Sequence, residues 1–144
     1  MSSYNNQERQ QIIMDAYTKP QYKKDQIIQN KNTLSEHSTV CVDDIQMNLV
    51  FENNVLKNVE YKAKGCAIFL ASVELFIKQA LYKTKVEINS ILDDYFEMIN
   101  TNQIDEQKAS NLDKLIVFKN VKVHLNRLEC ASIIYRIFKK AINE

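Results

Sequence analysis

The chain has 144 residues, of which 19 are Lys or Arg and 18 are Asp or Glu, for a formal net charge of +1. That balance excludes the strongly basic surface with which a nucleic-acid binder displaces counterions, and it excludes an acidic tail. There is one Gly, one Pro and three Cys, and a lone glycine, Gly65, excludes Gly-rich phosphate loops, which need at least two.

Residues 2–11 are polar, with no apolar stretch of the kind a secretion signal carries. The most apolar window, residues 66–81, is cut by Ser72, Glu74, Lys78 and Gln79, so no membrane span is expected. The expectation is a cytoplasmic chain with reduced thiols and neither a nucleic-acid nor a membrane partner. Its length predicts a single domain over residues 1–144 with a core of its own.

Ile12, Ile13, Ala16 and Tyr17 recur at helical spacing within residues 4–18, and Pro20 follows, as expected just past a helix end. Residues 19–37 are polar and read as a long connection. From Val40 the period changes. Ile45, Met47, Leu49 and Phe51 alternate with Gln46, Asn48, Val50 and Glu52, the pattern of a half-buried strand. Asn53-Asn54 suits a tight turn, because Asn tolerates positive φ. Val55, Lys57, Val59, Tyr61 and Ala63 then form one face of a second strand. Residues 40–63 are therefore predicted to form a hairpin.

After Gly65 the pattern is helical to about Tyr82, with an apolar arc wide enough for a central helix. Thr84 to Glu87 fits a capping box, and Ile88, Ile91, Leu92, Tyr95, Phe96 and Ile99 form the buried stripe of the helix that follows. Asp105 to Leu115 is predicted as a short helix and Ile116 to His124 as an irregular linker. Leu125 to about Ile142 is a final amphipathic helix. Strands grouped early and helices grouped late predict an α+β fold: an N-terminal helix, a small antiparallel sheet with room for a third strand, then three or four packed helices.

Cys41 lies near the start of the hairpin, Cys66 at the start of the central helix and Cys130 early in the last helix. No pair forms a CxxC, so on spacing alone, buried core residues and metal ligands are equally good readings. Context favours ligation. A thiol at a helix start meets unpaired N–H groups and the positive end of the helix dipole, which stabilise an anion. Asp43 lies two residues after Cys41, so in an extended segment both face one side. Three thiolates and one carboxylate from separate elements make a closed tetrahedral zinc site. His37 and His124 read as solvated loop residues, and Asp93-Asp94 as a solvated helix edge.

Four segments resemble the U-type iron–sulfur cluster assembly proteins, the SufU and IscU family. Residues 12–20, ending Asp15-Ala16-Tyr17-Thr18-Lys19-Pro20, resemble the family's first helix. Cys41-Val42-Asp43 resembles its C-G-D motif. Gly65-Cys66-Ala67-Ile68 with Ala71-Ser72 resembles G-C-x-I-x-x-A-S, the most specific of the set. Arg127-Leu128-Glu129-Cys130-Ala131 resembles the R-I-K-C-A phrase of the SufU branch, as does the long separation between Cys66 and Cys130. The chain departs from the pattern at three places. Val42 replaces the glycine, which predicts a stiffer loop. Ser38-Thr39-Val40 replaces N-P-x. Glu129 stands where SufU has lysine and IscU histidine; a carboxylate beside Cys130 is expected to oppose its ionisation and compete as a ligand.

The resemblance implies a sulfurtransferase-like role. Zn2+ would be held by Cys41, Asp43, Cys66 and Cys130, with Cys41 as catalytic sulfur acceptor. The partners implied are a PLP-dependent, SufS-like cysteine desulfurase and downstream sulfur or cluster acceptor proteins. The alternatives are a scaffold carrying a transient iron–sulfur cluster and a degenerate, non-catalytic interaction protein.

Overall fold

The computed structural model describes residues 4–40 and 42–143. Helix α1 spans Asn6–Thr18 and opens with a capping box between Asn5 and Glu8. Strands β1 (Leu34–His37), β2 (Asp44–Glu52) and β3 (Val55–Lys64) form an antiparallel sheet in that order. Helices α2 (Ala67–Ala80), α3 (Lys85–Thr101), α4 (Glu106–Leu112) and α5 (Leu125–Ile142) follow, with two 3-10 segments, Asp113–Phe118 and Val121–Val123, between α4 and α5. This is the α+β order expected from the sequence. Among the described residues, no helix is long and apolar enough to cross a membrane.

The β2–β3 turn forms as its residues dictate: Asn53 and Asn54 take φ of 53° and 64°, the positive pair that a two-residue hairpin turn requires. Beyond the turn the alternation differs from expectation. A bulge between Val50 and Phe51 pairs Val50 with Asn58 but Phe51 with Leu56, leaving Lys57 as the extra residue. The extra residue shifts the phase, so Leu56, and not Val55 or Lys57, joins Val59 and Tyr61 in the core. The hairpin also starts later than predicted, at Asp44, and Val40 is exposed.

The polar connection contains structure that its composition hides. Strand β1 occupies its end, pairing Leu34 with Met47 and His37 with Asp44. Upstream, Lys24 N–H donates to Tyr61 C=O at 2.7 Å, and Tyr61 N–H donates to Tyr22 C=O at 3.2 Å. Residues 22–24 thereby cover the free edge of β3, which protects an otherwise open ladder.

Helix α2 is central, with Phe69 through Ile77 all buried. Phe76 packs against Tyr95 of α3 and Phe138 of α5, with ring centroids 5.8 and 4.8 Å away. The stripe on α3 differs at two positions. Phe96 is exposed and stacks on Tyr135 at 4.5 Å, while Met98 is buried. The predicted short helix ends at Leu112, and the predicted linker is core: Leu115 to Phe118 and Val121 are buried in the 3-10 segments.

Glu74 is only 1% exposed in the middle of α2. Its carboxylate accepts from Gln21 N–H at 2.8 Å, Tyr22 N–H at 3.1 Å and the Tyr61 hydroxyl at 2.7 Å. The acid that interrupts the apolar run is thus the staple that seats residues 21–24 against β3. Glu74→Gln puts an amide N–H against a donor, and it is expected to lower stability by about 1–3 kcal/mol. Tyr61→Phe leaves two of the three bonds and should lower it by about 1 kcal/mol. Urea unfolding of both variants checks the order.

Candidate functional site

Three elements meet at one end of the sheet. Asp43 immediately precedes β2, and Ser38 N–H donates to its carbonyl at 2.9 Å, tying the ends of the β1–β2 connection. Its side chain is 1% exposed. Oδ1 accepts from Cys66 N–H at 2.9 Å, and Oδ2 lies 3.9 Å from Cys66 Sγ. Cys66 is the N-cap of α2, and its sulfur accepts from Phe69 N–H at 3.4 Å. Cys130, on the second turn of α5, brings its Sγ to 3.3 Å from that of Cys66. The ligand atoms of Asp43, Cys66 and Cys130 all lie within 4.8 Å of one another. Cys41, the fourth expected ligand, lies outside the described residues; Val40 and Val42 on either side of it are exposed.

The two thiols have different surroundings. Cys66 is exposed and Cys130 is buried. Burial pushes the Cys130 thiol up from its usual range, reinforced by the Asp43 carboxylate and the Cys66 sulfur beside it. The helix-start N–H groups are met by Cys66, at the cap, and not by Cys130, on the second turn of α5.

Gly65 is needed for a reason other than a special backbone. Its φ is not positive. A Cβ at this position would meet Asp43 Oδ1 most closely, Phe69 Cδ2 at 2.6 Å and Asp43 Cγ at 2.9 Å. The missing side chain is the space the carboxylate occupies.

Glu129 also behaves differently from expectation. It turns from the thiols toward Arg136, whose two terminal nitrogens reach it at 3.1 and 3.0 Å, and it accepts from Thr39 N–H at 3.3 Å. Burial opposes its ionisation, but the Arg136 guanidinium and the Thr39 amide outweigh that and hold the carboxyl below its usual value. Arg136 also contacts Glu36 at 3.4 Å, and Lys140 pairs with Glu36 at 2.6 Å. This network fastens β1 and Thr39 to α5. Sequence reasoning missed it, because Glu36 and Arg136 are separated by 100 positions and nothing local links them. His37 and His124 are exposed and outside the ligand group. Asp93 pairs with Lys139 at 3.0 Å and Asp94 accepts from Asn111 at 2.8 Å, so these acids face different partners.

Two sulfurs and a carboxylate oxygen suit zinc. With sulfur about 2.3 Å and carboxylate oxygen about 2.0–2.2 Å from a tetrahedral zinc, ligand atoms stand about 3.5–3.8 Å apart, and the observed S···S 3.3 Å and S···O 3.9 Å lie close to that range. The residues present therefore fit such an ion, one donor short of a closed set.

The chain is thus a small α+β protein that gathers two thiols and a buried carboxylate where the sheet meets the central helix. Residues 8–131 match the family model described as the NifU-like N-terminal domain, and the chain belongs to that family. It is 26% identical over 104 residues to an iron–sulfur cluster assembly scaffold protein IscU of Thermotoga maritima, covering 72% of this chain and 71% of that one. A scaffold protein of the same name from Streptococcus pyogenes is 23% identical over 106 residues, covering 74% and 65% of the two chains. In fold the chain is similar to a crystal structure of a proposed SUF-system cluster assembly scaffold from Fervidobacterium islandicum, with TM-score 0.81, 22% identity and 96% of each chain covered. It is also similar to the N-terminal part of a NifU-like protein of Brucella abortus, with TM-score 0.79, 16% identity, and 92% and 90% covered. The resemblance to SufU/IscU-type assembly proteins is borne out.

Gly65→Ala is expected to destabilise the protein by about 1–3 kcal/mol, because the displaced group is a buried carboxylate. Urea titration measures it. Glu129→Ala should speed amide exchange at Thr39, with a stability loss of about 1 kcal/mol or less, since the pair is partly solvated; exchange followed by NMR reads both.

Proposed function

We propose that this chain is a zinc-holding sulfur acceptor in cytoplasmic iron–sulfur cluster assembly. It takes persulfide sulfur from a PLP-dependent cysteine desulfurase and passes it to downstream acceptor proteins. The observation that carries this reading is the approach of the Asp43, Cys66 and Cys130 ligand atoms to within 4.8 Å of one another. Cys41 is assigned as both the fourth ligand and the acceptor.

The chemistry is thiol exchange. The Cys41 thiolate attacks the outer sulfur of the partner's persulfide. A sulfur–sulfur bond forms on Cys41 as the partner's cysteine leaves as its thiolate. Zinc, when bound, would keep its thiolate ligands deprotonated at neutral pH. Asp43 holds the Cys66 backbone, and so the start of α2, in place. Val40 and Val42 are themselves exposed. The PLP belongs to the desulfurase; this chain has no Gly-rich phosphate loop of its own.

A second reading, a scaffold carrying an iron–sulfur cluster as cargo, is favoured by the names of both curated relatives. The third, a degenerate interaction protein, requires that the converged donors hold nothing.

Elemental analysis of the purified chain is expected to give close to one zinc per molecule, falling well below that in Cys66→Ser and Cys130→Ser; no zinc in the wild type removes the proposal. In a desulfurase assay, Cys41→Ala is expected to abolish the stimulation of cysteine turnover, and wild-type stimulation by this variant refutes the acceptor assignment. Anaerobic reconstitution with iron and sulfide distinguishes the scaffold, which would give a stable visible chromophore transferable to an apo-ferredoxin.

A further inference from the structure

Of the chain's 19 basic residues, only Arg9, Arg127 and Arg136 are arginine; the other 16 are lysine. Lysine is the default cation here, so each arginine marks a place where lysine does not serve. Arg136 shows why: its guanidinium contacts both Glu129 and Glu36. A flat fork of donors does that, and a point charge does not.

The other two arginines line a single pocket between α1 and the start of α5, of about 160 Å³. Among the described residues, neither makes an ion pair with a carboxylate and no acidic side chain lines the pocket. Arg9 donates to the Asn6 side-chain oxygen. The carboxamides of Asn6, Gln10 and Asn120 also line it, with Phe118 among its apolar residues. Two cations without a carboxylate partner, neighbouring carboxamides and an apolar floor favour an anion, because a low-dielectric surface strengthens each charge-assisted hydrogen bond.

The pocket adjoins the thiols. Ile68 in its wall follows Cys66 by two residues, and Arg127 precedes Cys130 by three, one turn on the same helix. Its volume is below the roughly 300–1,000 Å³ of sites for larger organic ligands, so it suits a single small anionic group.

We infer that Arg9 and Arg127 form a carboxylate-binding pocket beside the thiol site. The planar donors on its walls match a planar carboxylate. The carboxylate comes either from a free small acid or from an acidic side chain of a docked protein. The inference does not depend on what the thiols hold.

The test is isothermal titration of the purified full chain at constant ionic strength, with malonate, N-acetyl-aspartate amide and inorganic phosphate as probes. Malonate is expected to bind one site at millimolar concentration. Arg9→Gln and Arg127→Gln should each weaken it at least tenfold, while Lys57→Gln leaves it unchanged. Arg9→Lys and Arg127→Lys keep the charge but lose the fork, so each should also weaken binding. Both arginines are at least partly exposed, and circular dichroism confirms that the variants fold. Binding of malonate alone identifies a free acid; binding of the aspartate amide as well identifies a side chain. Failure to saturate, equal binding by the glutamine variants, full retention by the lysine variants, or tighter binding of phosphate at the same residues would each overturn the assignment.

Discussion

The Asp43 carboxylate is buried, and it lies where the side chain of residue 65 would otherwise be. A buried carboxylate needs hydrogen bonds to offset its lost hydration, and Cys66 N–H supplies one at 2.9 Å. That N–H is available because Cys66 caps α2 and its own amide has no helical partner. One contact therefore joins the first residue before β2 to the first residue before α2. It also satisfies a charge and sets a carboxylate oxygen 3.9 Å from a thiol. Any larger residue at 65 must displace the acid, and displacing the acid uncouples sheet from helix.

The third donor arrives by a different route. Cys130 is carried by α5, which packs on α2 and α3 through Phe138, Phe76 and Tyr95. The Tyr95 hydroxyl donates to Ala131 C=O at 2.7 Å, fixing α5 beside the cysteine. The Glu36–Arg136–Glu129 network then holds Thr39 against the same helix. Glu129 thus positions the connection from outside the donor cluster. This explains how a carboxylate stands next to Cys130 without entering the ligand group: its charge is already committed to Arg136.

Features with local causes could be read from the chain. Asn53-Asn54 turns because both residues accept positive φ, and Thr84-Glu87 caps because both partners lie within one helical turn. The carboxylate and the two described thiols were legible through short motifs, each needing only two or three neighbours. The misreadings share a non-local cause. Strand β1 has only Leu34 as an apolar mark, and its pairing comes from β2. The bulge at Lys57 depends on how two strands align, which alternation within one strand cannot show. The interior of residues 113–123 is buried by helices before and after it. Glu74 looked like an interruption because its three donors lie 13 to 53 positions away.

Composition acts here as a filter on the remaining choices. A chain with one glycine keeps it where a single added carbon would strike a buried carboxylate. A chain that uses lysine for 16 of its 19 cations keeps arginine only beside paired carboxylates and in the pocket next to Cys66 and Cys130. Gly65 adjoins Asp43, Arg9 and Arg127 share one pocket, and Arg136 bridges Glu36 and Glu129. Steric room at Gly65 and the two-carboxylate fork at Arg136 are met by the residues present and not by a larger side chain or a lysine. At residue 65 the constraint is steric, because an added carbon would strike the Asp43 carboxylate that converges with the thiols.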